Sequence, residues 1–352
     1  MVASTIIGVL YAFYLMSLPN SRLLKGTNNN VIPWILAIFV TIYIGTRPIW
    51  AYADTQLYTT MYNLLQKGIW TEVRGGEVEP FWAFIQYASV PYLSASGWLT
   101  VISIFYVGGM TVAAKRWFPR HFLMALIFLF TSYSFFSYGT NGIRNGMATS
   151  IAMVGLSFFN KNRKELTIGY VFLIIAYFTH KSCLLIFAAA TAARFFKNIN
   201  INVCIWFGCI LLSLLFAEPL KDLMAGLIDD NRMAHYVHKQ VVTQGTVAFS
   251  RTGFRWDFLL YSALPIAFGW YAITKQKIKD ETYIFLLTTY IFANSVWCLI
   301  NSVAYSNRFA YLSWFLYPVI IIYPLVKLKV TSLQGVIAGV LLIFFIIFNW
   351  LF

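Results

Sequence analysis

Long apolar runs follow one another along almost the whole chain, and no other feature constrains the fold as strongly. Twelve runs span residues 1–18, 31–46, 97–114, 121–138, 142–159, 166–180, 183–196, 201–217, 257–274, 283–300, 309–326 and 332–350. A helix needs about 17–25 mainly apolar residues to cross the hydrocarbon core of a bilayer. Because a backbone inside lipid must satisfy its own hydrogen bonds, these runs predict an all-α polytopic membrane protein with about 12 transmembrane helices.

The number of crossings depends on a few short runs. The runs 166–180 and 183–196 could instead form a single crossing, broken near His180. A further run, 81–92, is too short to cross and is expected to be interfacial or re-entrant. The first run lacks the basic residues that open a signal peptide, so we interpret it as a span. No repeat or low-complexity segment stands out, and we expect a single integral membrane domain over residues 1–352.

Lysine and arginine are clustered at alternate ends of the runs. Only 11% of the residues are charged, and 60% are hydrophobic. Since cytoplasmic loops collect Lys and Arg, the clusters predict that both termini face the extracytoplasmic side. This placement explains most of the net charge of +14, so no nucleic-acid partner is expected. The clusters are Arg22/Lys25, Lys115/Arg116/Arg120, Lys161/Arg163/Lys164, Arg194/Lys197, Lys275/Lys277/Lys279 and Lys327/Lys329.

Two predicted extracytoplasmic loops, residues 47–96 and 218–256, are long, and long connections usually carry function. A metal site is not expected, because the histidines show neither HxxxH nor HExxH spacing. The cysteines lie in apolar stretches without a CxxC motif, which favours buried free thiols. They are Cys183, Cys204, Cys209 and Cys298.

A second set of charges consists of single residues among Gly, Asn, Tyr and Trp at the outer ends of the runs. Arg144 lies in the glycine-rich segment 138–146, and Arg308 lies among aromatic residues. An arginine at such a depth is costly unless it is paired or faces a wet cavity. Snorkelling is the alternative for Arg144, and an ion pair with Asp257 is the alternative for Arg255. Several guanidinium groups in one pocket would suit a phosphate or diphosphate.

His180 follows a fully apolar run and adjoins Lys181 at a predicted helix break, on the same side as Arg144. It could act as a general base or as a hydrogen-bond donor to an anion. A satisfied structural histidine is the alternative.

The first long loop combines carboxylates with aromatic residues. Asp54, Tyr58 and Tyr62 recur at i, i+4 and i+8, which places them on one face of a helix. Glu79 closes the loop beside further aromatic residues. Carboxylates accept hydrogen bonds from sugar hydroxyls while rings cover apolar sugar faces, so the pattern predicts a sugar site. An interfacial aromatic belt with solvated acids is the alternative.

These landmarks, in this order, resemble the EpsG family of Wzy-type polysaccharide polymerases. The departures are Ala53 in place of glycine, Asn145 in place of glutamine, and Thr179 between Phe178 and His180. The matching elements are Arg47, Ala53-Asp54-Thr55-Gln56-Leu57-Tyr58, Glu79, Arg144-Asn145-Gly146-Met147-Ala148, Phe178-Thr179-His180-Lys181-Ser182 and Asn307-Arg308-Phe309.

The resemblance implies a metal-independent glycosyltransferase of GT-C-like architecture, without a cofactor, in the bacterial cytoplasmic (inner) membrane. It would join undecaprenyl-diphosphate-linked oligosaccharide repeat units at the outer face and release undecaprenyl diphosphate. Donor and acceptor are both lipid-linked oligosaccharides, and a chain-length regulator protein is a further candidate partner. The predicted diphosphate-binding residues are Arg144, Arg308, Arg255 and Arg47. The predicted catalytic residues are His180, Asp54 and Glu79, and the predicted sugar-binding residues are Tyr58, Tyr62, Asn145 and Trp256.

Two other functions remain open from the sequence. A flippase for lipid-linked sugars could also line a cavity with arginines, but it would need charged groups on a path to the cytoplasmic side. A membrane O-acyltransferase would need a buried histidine with a nearby Asn or Asp. The unusual residues gather at one face, which favours a catalyst over a transporter.

Overall fold

The computed structural model describes residues 2–28, 30–69, 78–159, 162–217, 219, 253–302, 306–328 and 331–351, and in these ranges the regular structure is helical. Two short 3₁₀ helices, Ile49–Ala51 and Lys181–Cys183, accompany the α-helices. The α-helices are α1 Val2–Ser17, α2 Asn20–Lys25, α3 Val31–Gly45, α4 Ala53–Gln66, α5 Pro80–Ser89, α6 Ala95–Trp117, α7 Phe122–Thr131, α8 Tyr133–Thr140, α9 Ile143–Leu156, α10 Arg163–Thr179, α11 Leu184–Ala193, α12 Ile199–Leu215, α13 Trp256–Thr274, α14 Glu281–Leu299, α15 Asn307–Trp314, α16 Tyr317–Lys327 and α17 Gln334–Leu351.

Each predicted apolar run coincides with a helix or with a consecutive pair. The run 121–138 divides into α7 and α8, which are bent by 66°. By length and composition, four described helical segments can cross a membrane, or five if the bent pair counts as one span. The all-helical membrane class is therefore confirmed, while twelve crossings and the GT-C-like architecture stay predictions. The four segments are Ala95–Trp117, Glu281–Leu299, Asn307–Lys327 and Gln334–Leu351.

Several helices expose apolar side chains on the outside of the bundle. On α3, Ile35 and Phe39 are exposed, and on α12, Leu211 and Leu215 are exposed. In water such faces would be costly, whereas lipid chains accept them at no cost. These outer faces are therefore the lipid-contacting surface of a membrane protein.

Helix α9 is the centre of the bundle, and every one of its residues is buried. It packs against α6 and α10 at close range because small residues lie at the contacts. A Cβ atom on Gly155 would lie 2.8 Å from the carbonyl oxygen of Gly169, so neither position has room for a side chain. This central position fixes where the polar residues at the start of α9 must lie.

The charged residues separate to two ends of the bundle. At one end, Arg116 pairs with Glu165 at 2.9 Å and Lys197 pairs with Glu281 at 3.4 Å. The polar segments that contain Glu79, Arg144 and His180 lie at the other end. The predicted basic clusters are thus in contact with their neighbours at one end of the bundle, and the predicted site residues lie together at the opposite end.

The start of α1 and the end of α17 lie on the same side of the bundle. Helices α1 and α17 pack side by side, and the indole of Trp350 donates to the hydroxyl of Thr5 at 3.0 Å. The prediction that both termini share one side agrees with this contact. That this side is extracytoplasmic stays a prediction.

A buried amide joins four helices in the other half of the bundle. Asn294 of α14 is fully buried, and its Nδ2 donates to Ser262 at 3.1 Å and to Ser313 at 3.0 Å. Its Oδ1 accepts from the indole of Trp206 at 2.8 Å. Trp314 also donates to Ser262, at 2.7 Å. Because lipid offers no substitute partners, this network fixes the register of α12, α13, α14 and α15.

Replacing Asn294 by leucine should lower the free energy of unfolding by about 2 kcal/mol, since Trp206 loses its buried acceptor and two interhelical bonds disappear. The measurement is the unfolding midpoint of the purified protein in detergent. Asn63→Leu, at an exposed position on α4, is the control and should change the midpoint little. Equal midpoints for the two variants would contradict the structural role of Asn294.

Candidate functional site

The candidate site lies where several helices begin or end at the surface opposite the basic clusters. The starts of α4, α5 and α9 meet there, together with the break between α10 and α11. Polar side chains collect at this level because helix ends leave backbone groups without intrahelical partners.

Arg144 and Glu79 form a buried ion pair at the centre of the site. The Nη1 atom of Arg144 lies 2.6 Å from Oε2 of Glu79, and the two side chains are only 7% and 5% exposed. Arg144 occupies the first turn of α9, where the helix dipole disfavours a cation. A buried carboxylate compensates for this unfavourable position. The Nε atom of Arg144 is a buried donor without a hydrogen-bond partner in the described part of the chain.

Glu79 also connects the pair to the helix break. It is the N-cap residue of α5, immediately before Pro80, so its backbone starts the helix while its side chain points elsewhere. Its Oε1 accepts a longer hydrogen bond, at 3.4 Å, from the backbone amide of Lys181. The predicted base Glu79 and the predicted diphosphate ligand Arg144 are thus bonded to each other.

His180 sits at the break itself. Its backbone is extended, at φ −156° and ψ 121°, between α10 and the 3₁₀ helix Lys181–Cys183. Its Nδ1 accepts from the backbone amide of Ser182 at 3.2 Å and lies 2.7 Å from the Ser182 hydroxyl. Ser182 therefore holds the imidazole in one orientation beside the Arg144–Glu79 pair.

A hydrogen-bonded chain connects the break to the helix that carries Arg308. The Ser182 hydroxyl contacts Oδ1 of Asn145 at 3.4 Å, and Nδ2 of Asn145 donates to the phenol oxygen of Tyr138 at 3.2 Å. The Tyr138 hydroxyl donates to the carbonyl of Arg308 at 3.0 Å. The side chain of Arg308 is exposed at the start of α15. The backbone of Arg308 is thus connected to the start of α9, which carries Arg144.

Two glycines permit this arrangement. A Cβ atom on Gly146 would lie 2.7 Å from the Tyr138 carbonyl oxygen, and one on Gly142 would overlap the Tyr138 ring. The prediction that the glycine-rich segment serves close backbone approach agrees with these contacts. Without both glycines, Tyr138 could not lie against the start of α9.

Arg47 anchors the first loop to the start of α9. Its Nε donates to Oγ1 of Thr55 at 2.9 Å and its Nη1 donates to the Ile44 carbonyl at 2.6 Å. Thr55 in turn donates to the Thr140 carbonyl at 2.5 Å. Burial lowers the pKa of Arg47 to about 10, so the guanidinium remains charged at neutral pH. Its Nη2 is a buried donor without a hydrogen-bond partner in the described ranges.

Asp54 is half-buried in the first turn of α4, next to Thr55. A helix start stabilises a negative charge there.

The predicted aromatic sugar ligands on α4 differ in their surroundings. Tyr58 is half-buried and meets Trp82 edge to face at 5.5 Å. Tyr62 is fully buried, is stacked on Trp98 at 4.8 Å, and donates to the Leu93 carbonyl. Tyr62 therefore packs in the core, and its position does not favour the predicted sugar contact. The face of α4 that carries Asp54, Tyr58 and Tyr62 thus begins at the site and ends in the buried core.

Arg255 and Trp256 lie at the start of α13, beside this cluster. Arg255 contacts both carboxylate oxygens of Asp257, at 2.9 and 2.5 Å, and lies over the ring of Phe258. The ion pair foreseen as an alternative for Arg255 is thus present. The Arg255 amide donates to Asn301, whose carbonyl accepts from Ser306 two residues before Arg308. Trp256 is exposed.

Sequence reasoning missed the residues that hold the site together. Tyr138, Ser182 and Thr55 carry no charge, and in the sequence they stand out only as neighbours of predicted site residues. Ser182 could have been found, because a serine two residues after an N-cap residue often bonds back to it. Tyr138 offers no such local signal, since its partner Arg308 is 170 residues away.

No group of three or more His, Cys, Asp or Glu lies together in the part of the chain that the structure describes. His235 and His238, and most of the loop 218–256, lie outside the described residues. Metal independence therefore stays a prediction. The described cysteines are free, and two of the four predicted buried thiols, Cys183 and Cys298, are buried.

The fold and the site define the class of protein: a helical membrane protein with lipid-facing apolar surfaces and a cluster of buried and half-buried charges at one end. The chain matches the EpsG family over residues 30–352, and it belongs to that family. It is accordingly a membrane protein related to polysaccharide biosynthesis. No curated protein and no solved structure matches it significantly.

Arg144 and Glu79 should show strong energetic coupling in a double-mutant cycle of Arg144→Gln and Glu79→Gln. Each single change leaves one buried charge without its partner, which costs about 3–5 kcal/mol, while the double change should cost much less than the sum. The measurement is the free energy of unfolding in mixed micelles.

The control cycle uses Lys197→Gln and Glu281→Gln, because this pair is 64% and 72% exposed. Exposed pairs contribute about 0–1 kcal/mol. A coupling energy between Arg144 and Glu79 as small as that of the control would contradict the buried pair.

Proposed function

We propose that the protein is a polysaccharide polymerase that joins undecaprenyl-diphosphate-linked repeat units at the outer face of the bacterial cytoplasmic membrane. The observation that carries this proposal is the Arg144–Glu79 pair, bonded to the His180 break and linked through Asn145 and Tyr138 to Arg308. Membership of the EpsG family supports the same reaction class.

The one-sided distribution of charge supports a catalyst rather than a flippase. A flippase needs charged groups along a path through the bundle, whereas the segment of α9 beyond Asn145 reads Gly-Met-Ala-Thr-Ser-Ile-Ala-Met-Val-Gly-Leu. Its residues are all buried, and none is charged. Cations preorganised at one membrane surface suit a ligand whose head group is anionic and whose tail stays in lipid.

Arg144 and Arg308 are the proposed diphosphate ligands. Glu79 holds the guanidinium of Arg144 in place, and the unpartnered Nε of Arg144 is a donor that a phosphate oxygen could satisfy. Arg47 supports the loop that carries Asp54 and adds a buried positive charge nearby. Arg255 is already bonded to Asp257, so in this proposal it shapes the entrance beside Trp256 instead of binding the diphosphate.

The proposed reaction transfers the growing glycan from its lipid carrier to a sugar hydroxyl of the next lipid-linked unit. The acceptor oxygen forms a bond to the anomeric carbon, and the bond from that carbon to the diphosphate oxygen breaks. The electron pair of the broken bond remains on undecaprenyl diphosphate, where the arginines stabilise it. The acceptor proton passes to a base.

Asp54 is the preferred base. Both oxygens of Glu79 already accept hydrogen bonds, and its charge is needed by Arg144. Asp54 is half-buried beside Tyr58, whose ring could cover a sugar face. Asn145 and Trp256 are further candidate sugar contacts, the first from within the cluster and the second from its exposed edge.

Purified protein incubated with its native lipid-linked repeat units should produce a ladder of polymers. Asp54→Asn should reduce the rate by about 10²–10⁴-fold, the usual contribution of a general base. Asp257→Asn is the control, since it removes a carboxylate that is bonded to Arg255 outside the reacting centre, and it should retain most activity. A wild-type protein that makes no ladder, or an unaffected Asp54→Asn variant, would contradict the proposal.

The orientation is tested by labelling single cysteines from outside the cell. In a variant lacking the four natural cysteines, Trp50→Cys lies at the site end and Phe195→Cys at the basic end, and both positions are exposed. An impermeant maleimide should label Trp50→Cys in intact spheroplasts and Phe195→Cys only after permeabilisation. The reverse pattern would place the site on the cytoplasmic face and exclude the proposed substrate.

A further inference from the structure

The hydrogen bonds of His180 determine which of its ring nitrogens carries the proton. A backbone amide can only donate, so Nδ1 carries no proton while it accepts from the amide of Ser182 at 3.2 Å. The Ser182 hydroxyl, 2.7 Å from Nδ1, can donate to the same atom. The neutral imidazole therefore carries its proton on Nε2.

Ser182 is itself held in place. Its hydroxyl has one proton, which goes to Nδ1 at 2.7 Å, and it makes only a longer contact of 3.4 Å with Oδ1 of Asn145. Asn145 is fixed in turn by Tyr138 and accepts from Thr149. The imidazole, moreover, is the N-cap of the 3₁₀ helix Lys181–Cys183, so its orientation is part of how the chain turns. The tautomer is thus set by local backbone structure before any substrate binds.

We propose that His180 acts as a hydrogen-bond donor through Nε2–H to the departing diphosphate, and that Ser182 is the positioning residue that selects this tautomer. This inference rests on the proposed polymerase function and deepens it. A base must present an unprotonated nitrogen to the acceptor hydroxyl, and the unprotonated nitrogen of His180 is already engaged by Ser182. A donor needs only Nε2–H, which this arrangement supplies.

In the proposed transfer, every proton is accounted for without His180 acting as the base. The acceptor hydroxyl gives its proton to Asp54 as the new glycosidic bond forms. The anomeric carbon–oxygen bond breaks, and its electron pair stays on the diphosphate. His180 keeps its proton and stabilises the new charge by a hydrogen bond, alongside Arg144. Around His180, Glu79 balances the charge of Arg144, and Lys181 is the next residue along the chain.

Two substitutions separate a donor from a base. In His180→Gln the side-chain amide reaches the position of Nε2 and can donate, while in His180→Asn it reaches only the position of Nδ1. Neither amide can act as a base. We expect His180→Gln to retain ladder formation within about tenfold of wild type, and His180→Asn to lose about 10²–10³-fold, the usual loss on removing one such donor. Equal loss in both variants would overturn the donor role.

The tautomer is measured independently of activity. Protein labelled with ¹³C,¹⁵N-histidine in lipid bilayers should show, by solid-state NMR, Nε2 protonated and Nδ1 unprotonated at His180, with the signal assigned by its absence in His180→Gln. Ser182→Ala removes the shorter hydroxyl bond of 2.7 Å and leaves only the longer amide contact of 3.2 Å, which holds the tautomer less firmly. A second population protonated at Nδ1 should therefore appear in Ser182→Ala, and Ser182→Thr should suppress it.

The possible failures are distinguishable. A wild-type His180 protonated at Nδ1, or a spectrum unchanged in Ser182→Ala, overturns this inference whatever the enzymatic result. A wild-type protein that makes no ladder overturns the polymerase proposal and leaves the NMR result valid for the tautomer alone.

Discussion

The buried ion pair between Arg144 and Glu79 is the interaction on which the rest of the site depends. An arginine in the first turn of a central, fully buried helix is unfavourable for both desolvation and the helix dipole. The carboxylate that compensates for it comes from the start of α5, and it also binds the backbone of the α10–α11 break. Glu79 therefore joins the starts of α5 and α9 to the α10–α11 break, and the buried charge of Arg144 would be unfavourable without it.

The remaining polar contacts of the site connect the surrounding helices to the Arg144–Glu79 pair. Ser182, Asn145 and Tyr138 form a chain from His180 to the backbone of Arg308. Thr55 ties the start of α4, and with it Asp54, to the end of α8. Donors and acceptors are thus fixed by the fold itself, which is the preorganisation that the proposed stabilisation of a charged transition state requires. The remainder of α9 carries no charge, so the charged groups of this cluster lie at one end of the helix.

The sequence predicts the helices well because apolar runs and their polar ends are local properties. It also predicts that Arg144, Glu79, His180 and Arg308 lie at one end, since the positive-inside pattern orders the spans. It does not predict that Arg144 and Glu79 pair, because the contact joins residues 65 apart, with α5, α6, α7 and α8 between them in the chain. Nor does the spacing of Asp54, Tyr58 and Tyr62 show that their helix face turns from the site into the core, which depends on how α4 packs against Trp98.

The most direct test is a structure of the protein in lipid nanodiscs with undecaprenyl diphosphate bound, determined by electron cryo-microscopy. The diphosphate should lie within hydrogen-bond distance of the guanidinium groups of Arg144 and Arg308, near Nε2 of His180, with the polyprenyl chain leaving toward an exposed apolar face. A diphosphate bound among the lysine and arginine clusters at the opposite end, with the Arg144 site empty, would contradict this assignment.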